Sequence, residues 1–243
     1  MSTPTLVLLH GVGLDSSVWE PVTDLLSGRA RVVALDLPGH GNREPVGDDV
    51  TLTDLADGVA ADIEAGSHLV GFSLGAMVAQ HLAIHRPDLV ASLTSVSSVC
   101  RRTNEERAAV LARLHSAETD YDAGITASLH RWYDGTGVDE ALIRRTRDVL
   151  ASNDRRSFVN CYRVFATADT ELADRLGDVT VPALAVTGQC DPGSTPEMTR
   201  RLASAIPRCE AVIIPNARHM LPVERPGELA EVLSTFVEGF AHV

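Results

Sequence analysis

The 243-residue chain has no lysine; all 21 of its basic residues are arginine. That pattern reads as base composition of the source genome rather than chemistry. Against 33 acidic residues it leaves a net charge of −12. An acidic balance of this size argues against nucleic acid or an anionic membrane surface as a partner. Cysteine is scarce too. Cys100, Cys161, Cys190 and Cys209 show no Cys-x-x-Cys and no His-linked spacing. Neither a zinc site nor a dithiol redox motif is expected. A chain this long builds its own core without staples, so four free thiols in a reducing cytoplasm are the expectation. Long apolar runs are missing, and none approaches a membrane span. The start, Met1 to His10, has no basic region and only a short apolar run, so it is expected not to be a signal peptide. There is no internal repeat and no low-complexity segment. What remains is ordinary for a soluble globular protein: 44% hydrophobic and 22% charged residues, enough for one large domain with a full core.

The most informative stretch runs from Leu69 to Ala79. An apolar run feeds into Gly71-Phe72-Ser73-Leu74-Gly75, and a helix-forming run follows at once. Strand, sharp turn, helix is the context in which Gly-x-Ser-x-Gly forms a nucleophile elbow. A serine at the tip of such a turn has a strained backbone. Side chains two residues to either side would collide with the turn, hence Gly71 and Gly75. The Ser73 hydroxyl is then exposed. The Leu74 N–H, at the helix N-terminus, points to where an oxyanion would form.

Around this elbow the chain alternates strand and helix. Leu6–Leu9, Val32–Leu35, Leu93–Val96, Ala183–Val186 and Ala211–Ile214 are short buried strands. Ser16 or Ser17 is expected to cap a helix carrying Val18, Val22, Leu25 and Leu26. A second helix is expected from Thr51 to Ala65, with Thr51 and Asp54 as a capping box. Ser194-Thr195-Pro196-Glu197 opens another, and the terminal helix begins near Pro226. Alternation of this kind implies a parallel sheet with helices on both faces.

From Arg101 to Leu172 the strand-like runs vanish and helical patterns take over. This segment holds 11 arginines against 12 acidic residues, so it is near neutral, and it carries Trp132. It reads as a helical cap, 101–172, inserted into a core made of 1–100 and 173–243. In a parallel sheet, ligands bind beyond the carboxyl ends of the strands. Ser73, Asp191 and His219 each follow a strand, so all three are expected at one edge. Their order, Ser then Asp then His, is that of an α/β-hydrolase triad. A neutral serine needs a base to activate it and a third group to orient that base. His219 is the expected base and Asp191 the orienting acid.

With these pieces in place the chain resembles the α/β-hydrolase superfamily along nearly its whole length. The matching pieces are His10-Gly11, Asp36-Leu37-Pro38-Gly39-His40-Gly41, the elbow, Gly188-Gln189-Cys190-Asp191 and Asn216-Ala217-Arg218-His219. Within it, Arg131-Trp132-Tyr133 and the run from Ala168 to Leu184 are most similar to the 3-oxoadipate enol-lactonase-like hydrolases. The resemblance implies a mostly parallel doubly wound sheet with a small helical cap. It implies that the Val12 N–H is the second oxyanion donor, and that His10, Asp36 and His40 are structural. It also implies a sheet trimmed at one edge, because the His-Gly strand begins near residue 5.

The expected chemistry is a cytoplasmic serine hydrolase acting on a small ester or lactone, including a carboxylated enol-lactone, through an acyl-enzyme. No metal or organic cofactor is required. The Arg-rich cap points to a substrate carboxylate, with Arg101 and Arg102 as first candidates and Trp132 as a pocket wall. A general carboxylesterase, a carbon–carbon bond hydrolase of dicarbonyl compounds and a slow-turnover small-molecule receptor stay open at this point. Oligomeric state is not legible.

Overall fold

The computed structural model describes residues 3–239; Met1, Ser2 and 240–243, at the ends of the expected core segments, lie outside the described residues. Six strands form one sheet: β1 (Thr5–Leu9), β2 (Arg31–Leu35), β3 (Ser67–Phe72), β4 (Val90–Val96), β5 (Ala183–Gly188) and β6 (Cys209–Ile214). Their spatial order is β2-β1-β3-β4-β5-β6, and every pairing is parallel. The inner strands are mostly apolar and buried along nearly their whole length, because helices cover the sheet. Chain order reverses at β1, which lies between β2 and β3. That switch point opens a crevice beyond the carboxyl ends of β1 and β3.

Core helices are α1 (Glu20–Leu26), α2 (Leu52–Ala60) and α3 (Leu74–His85) before the cap. α4 (Asn104–Thr119), α5 (Tyr121–Tyr133), α6 (Glu140–Ser152), α7 (Arg155–Thr167) and α8 (Asp169–Ala173) fall between β4 and β5. α9 (Pro196–Ala205), α10 (Leu221–Glu224) and α11 (Pro226–Glu238) complete the fold. α1 packs on α11, α2 on α3, and α9 on β5 and β6. α3 is buried nearly all round, so its sequence carries no polar stripe.

Local expectations hold in part. The α2 capping box forms: Thr51 Oγ1 accepts from Asp54 N–H at 3.2 Å, and Asp54 Oδ2 accepts from Thr51 N–H at 2.8 Å. Thr195 caps α9 ahead of Pro196. α2 stops at Ala60 rather than Ala65, and tight turns close it while Ile63 still reaches the core. The cap before α1 is Asp15, not Ser16 or Ser17: its carboxylate accepts from Ser17 N–H at 3.0 Å and starts a short 3₁₀ turn, Ser16–Trp19. Leu25 is 49% exposed and not part of the core.

Two buried histidines tie the crevice loops together. His10 Nδ1 donates to the Gly11 carbonyl at 2.8 Å, and its Nε2 accepts from Leu37 N–H at 2.9 Å. His40 packs edge-on against His10, with ring centroids 5.0 Å apart. Burial pushes His10 down to about 4 and His40 down to about 3. The folded chain keeps both neutral, whereas the unfolded chain protonates them near 6.5. Their contribution to stability is therefore complete above about pH 6.5 and is lost as pH falls toward 4. Denaturant titrations between pH 6 and 4.5 are expected to show stability falling by about 1.4 kcal/mol per pH unit for each histidine. His40→Asn is expected to flatten that slope; an unchanged slope would overturn the assignment.

Candidate active site

The site begins at the junction of β3 and α3. Ser73 has φ 54° and ψ −112°, a region that residues with a Cβ rarely occupy. The neighbours force it. A Cβ on Gly71 would run into the Gly75 carbonyl, and one on Gly75 into the carbonyls of Leu9 and His10. The turn is tied to the strands on either side: Ser73 N–H donates to Val96 O at 2.9 Å, and Gly75 N–H to His10 O at 3.0 Å. Leu74 opens α3. Among the described residues no acceptor engages the N–H of Leu74 or of Val12.

Asp191 and His219 arrive on the loops after β5 and β6. Gly188 lets these loops touch, since a Cβ there would strike the carbonyls of Ala217 and Arg218. His219 Nδ1 and Asp191 Oδ2 are 2.6 Å apart. The other Asp191 oxygen accepts from Gly193 N–H at 2.8 Å and Ser194 N–H at 2.9 Å, which fixes the carboxylate. The His219 backbone is held as well: its carbonyl accepts from Ser97 Oγ at 3.1 Å and from Leu221 N–H at 2.9 Å. Ser97 has φ 46°, a second left-handed serine, at the end of β4.

Ser73, Asp191 and His219 come together in one cavity, shared with Val12, Trp132, Arg113 and Arg131. All three are buried: Ser73 is 4% exposed, Asp191 3% and His219 7%. Trp132 lies nearly parallel to the His219 ring, with centroids 5.8 Å apart, and Phe72 packs on it at 5.1 Å. A second, mostly apolar chamber adjoins the first and shares Val12, Arg113, Arg131 and Trp132 with it. Among the described residues no group of three or more His, Cys, Asp or Glu side chains is arranged to hold a metal ion.

Arg101 and Arg102 correct the sequence expectation, because neither lines the cavity. Arg102 is sunk at the base of the cap. Its guanidinium donates to Asp169 Oδ1 at 2.8 Å and to the carbonyls of Phe165 and Ala166. Arg107 pairs with the same carboxylate at 3.1 Å. These bonds fasten the start of the cap to its end and hold the buried Arg102 guanidinium among cap groups, away from the cavity. Arg101 is exposed and donates to Ala173 O at 3.2 Å. The arginines at the cavity are Arg113 on α4 and Arg131 on α5. Arg113 had a signal in the sequence: no acid lies three or four residues away from it along its helix.

A sequence profile described as the alpha/beta hydrolase family matches residues 6–232, and the chain belongs to that family. The (E)-2-((N-methylformamido)methylene)succinate hydrolase of Acinetobacter baylyi is 31% identical, over 96% of this chain and 90% of that protein. A pimeloyl-[acyl-carrier protein] methyl ester esterase of Aeromonas hydrophila is 30% identical, over 96% and 95%. The enol-lactonase structure from Burkholderia xenovorans superposes with a TM-score of 0.86 at 27% identity, covering 98% of this chain and 92% of that one. No helix among the described residues is long and apolar enough to cross a membrane.

The strain at Ser73 is measurable without any substrate. Releasing a backbone of this kind is worth about 1–3 kcal/mol, and glycine gives back about 0.5–1 through the freedom of the unfolded chain. Ser73→Gly is expected to raise stability by about 1 kcal/mol in guanidinium titrations. A destabilised Ser73→Gly would show the turn to be unstrained.

Proposed function

We propose that the chain is a serine hydrolase cleaving a small ester or lactone through Ser73, His219 and Asp191. The observation that carries this reading is the 2.6 Å contact between His219 and a fixed Asp191 carboxylate, in the same cavity as the elbow serine. With Nδ1 committed to Asp191, His219 offers Nε2 to take the Ser73 proton. Ser73 Oγ then attacks the acyl carbon. The N–H groups of Leu74 and Val12 hold the tetrahedral oxyanion, which is where catalysis gains most. Collapse expels the alcohol, protonated by His219, and leaves an acyl-enzyme. His219 next takes a proton from water, whose oxygen attacks the acyl carbon and frees the acid. For a lactone, the expelled alcohol stays attached to the acid.

The relatives support this class: one is named a methyl ester esterase and a solved structure an enol-lactonase. Trp132 covers the imidazole and supports its role as a wall of the substrate pocket. Four free cysteines fit a reducing compartment, the cytoplasm.

The test is a fluorophosphonate probe read by intact mass and peptide mapping. A single adduct at Ser73 is expected, absent in Ser73→Ala. Ester turnover is expected to fall by about 10⁴-fold or more in Ser73→Ala and His219→Ala, and by roughly as much in Asp191→Asn. Folded protein that takes no adduct and turns over neither esters nor lactones would sink the reading.

A further inference from the structure

Arg113 and Arg131 stand out among the cap arginines as half-buried cations without a carboxylate partner; Arg101 and Arg147 lack one too, but they are exposed to water. Arg145, Arg156 and Arg163 pair with carboxylates at the surface, and Arg102 and Arg107 share Asp169. Arg113 is half-buried, yet among the described residues it makes no ion pair and no hydrogen bond. Arg131 is half-buried as well. Its guanidinium lies 5.6 Å over Trp132, and its nearest polar partner is the neutral Ser128 Oγ, at 3.0 Å. Among the described residues no carboxylate forms an ion pair with it, and Asp134, three positions on, pairs with His130 instead. Both side chains line the Ser73 cavity and the apolar chamber beside it, so they stand where the two meet.

Half-buried cations without counter-ions are costly, and two of them facing one cavity repel each other. Burial draws the Arg131 guanidinium below its ordinary value, and the charge of Arg113 adds to the effect. In a chain of net charge −12, an anionic ligand is repelled by most of the surface. A local pair of guanidiniums reverses that field at the one place where Ser73 is reached. The carboxylate that shares the cavity, Asp191, is taken up by His219 and two backbone N–H groups, so further balancing charge comes from what enters.

We propose that Arg113 and Arg131 form a dianion subsite beside Ser73, and that the substrate's acyl portion carries two carboxylates besides the ester or lactone carbonyl. Each guanidinium takes one carboxylate, a charge-assisted and commonly bidentate contact. This rests on the serine-hydrolase reading above and names the substrate class of that site. It also names Arg113 as a specificity-determining residue.

The experiment uses three methyl esters of rising charge: methyl butyrate, monomethyl succinate and the terminal monomethyl ester of tricarballylate. Hydrolysis is followed by proton release, and binding of the intact esters to Ser73→Ala by calorimetry. kcat/KM is expected to rise with each added carboxylate. Arg113→Gln is expected to lower it about 30-fold for the dianionic ester and less than twofold for methyl butyrate. In the Ser73→Ala background, Arg113→Gln is expected to weaken binding of the dianionic ester by a similar factor. Indifference of kcat/KM to charge, or an equal loss on all three esters, would overturn the subsite while leaving the serine chemistry standing. A dianionic ester that binds Ser73→Ala but is never hydrolysed by a wild-type protein without a fluorophosphonate adduct would do the reverse.

Discussion

The structure depends on how closely α3 approaches the carboxyl ends of β1 and β3. Two positions without side chains, Gly71 and Gly75, let the helix start against the carbonyls of Leu9 and His10. Gly75 N–H bonds to His10 O across that gap. Once the helix is seated there, Ser73 has no relaxed backbone left to adopt and stands at the tip of the turn. The same contact fixes the loop after β1, and with it Val12, on the far side of the serine. A similar contact operates at β5, where Gly188 lets the loops bearing Asp191 and His219 meet. Close backbone packing, more than side-chain chemistry, sets where the reactive groups lie.

That dependence explains what could be read from the sequence. Parallel strands, the elbow and the order of Ser73, Asp191 and His219 were legible because each is a local pattern next to an apolar run. Buried strands read as continuous apolar segments, and α2 declared its start through Thr51 and Asp54. Ends were less legible: α2 closes at Ala60 because its last turns tighten, which no spacing of apolar residues reveals. Asp15 is a less visible cap in the sequence because two serines follow it and compete for the same role.

The arginines were the least legible part. Arg102 looked like a ligand-binding residue because it leaves the last strand before the cap. Its partner, Asp169, lies 67 positions away, so the pair exists only in the folded chain. The cap folds back so that its first and last residues share one buried carboxylate. Arg113 and Arg131 reach the cavity from successive helices, α4 and α5, whose relative placement no helical periodicity states.

Trp132 belongs to the cap, while His219, on which it lies, belongs to a core loop. The imidazole is therefore walled by two parts of the chain that are far apart in sequence. A lineage that exchanged or reshaped its cap to accommodate a new substrate would also alter the surface against which its histidine rests. In this chain the cap and the imidazole share a surface, so a change on one side is felt on the other. A graft that changes one has to be chosen with the other in view, and the aromatic at position 132 is where the two histories meet.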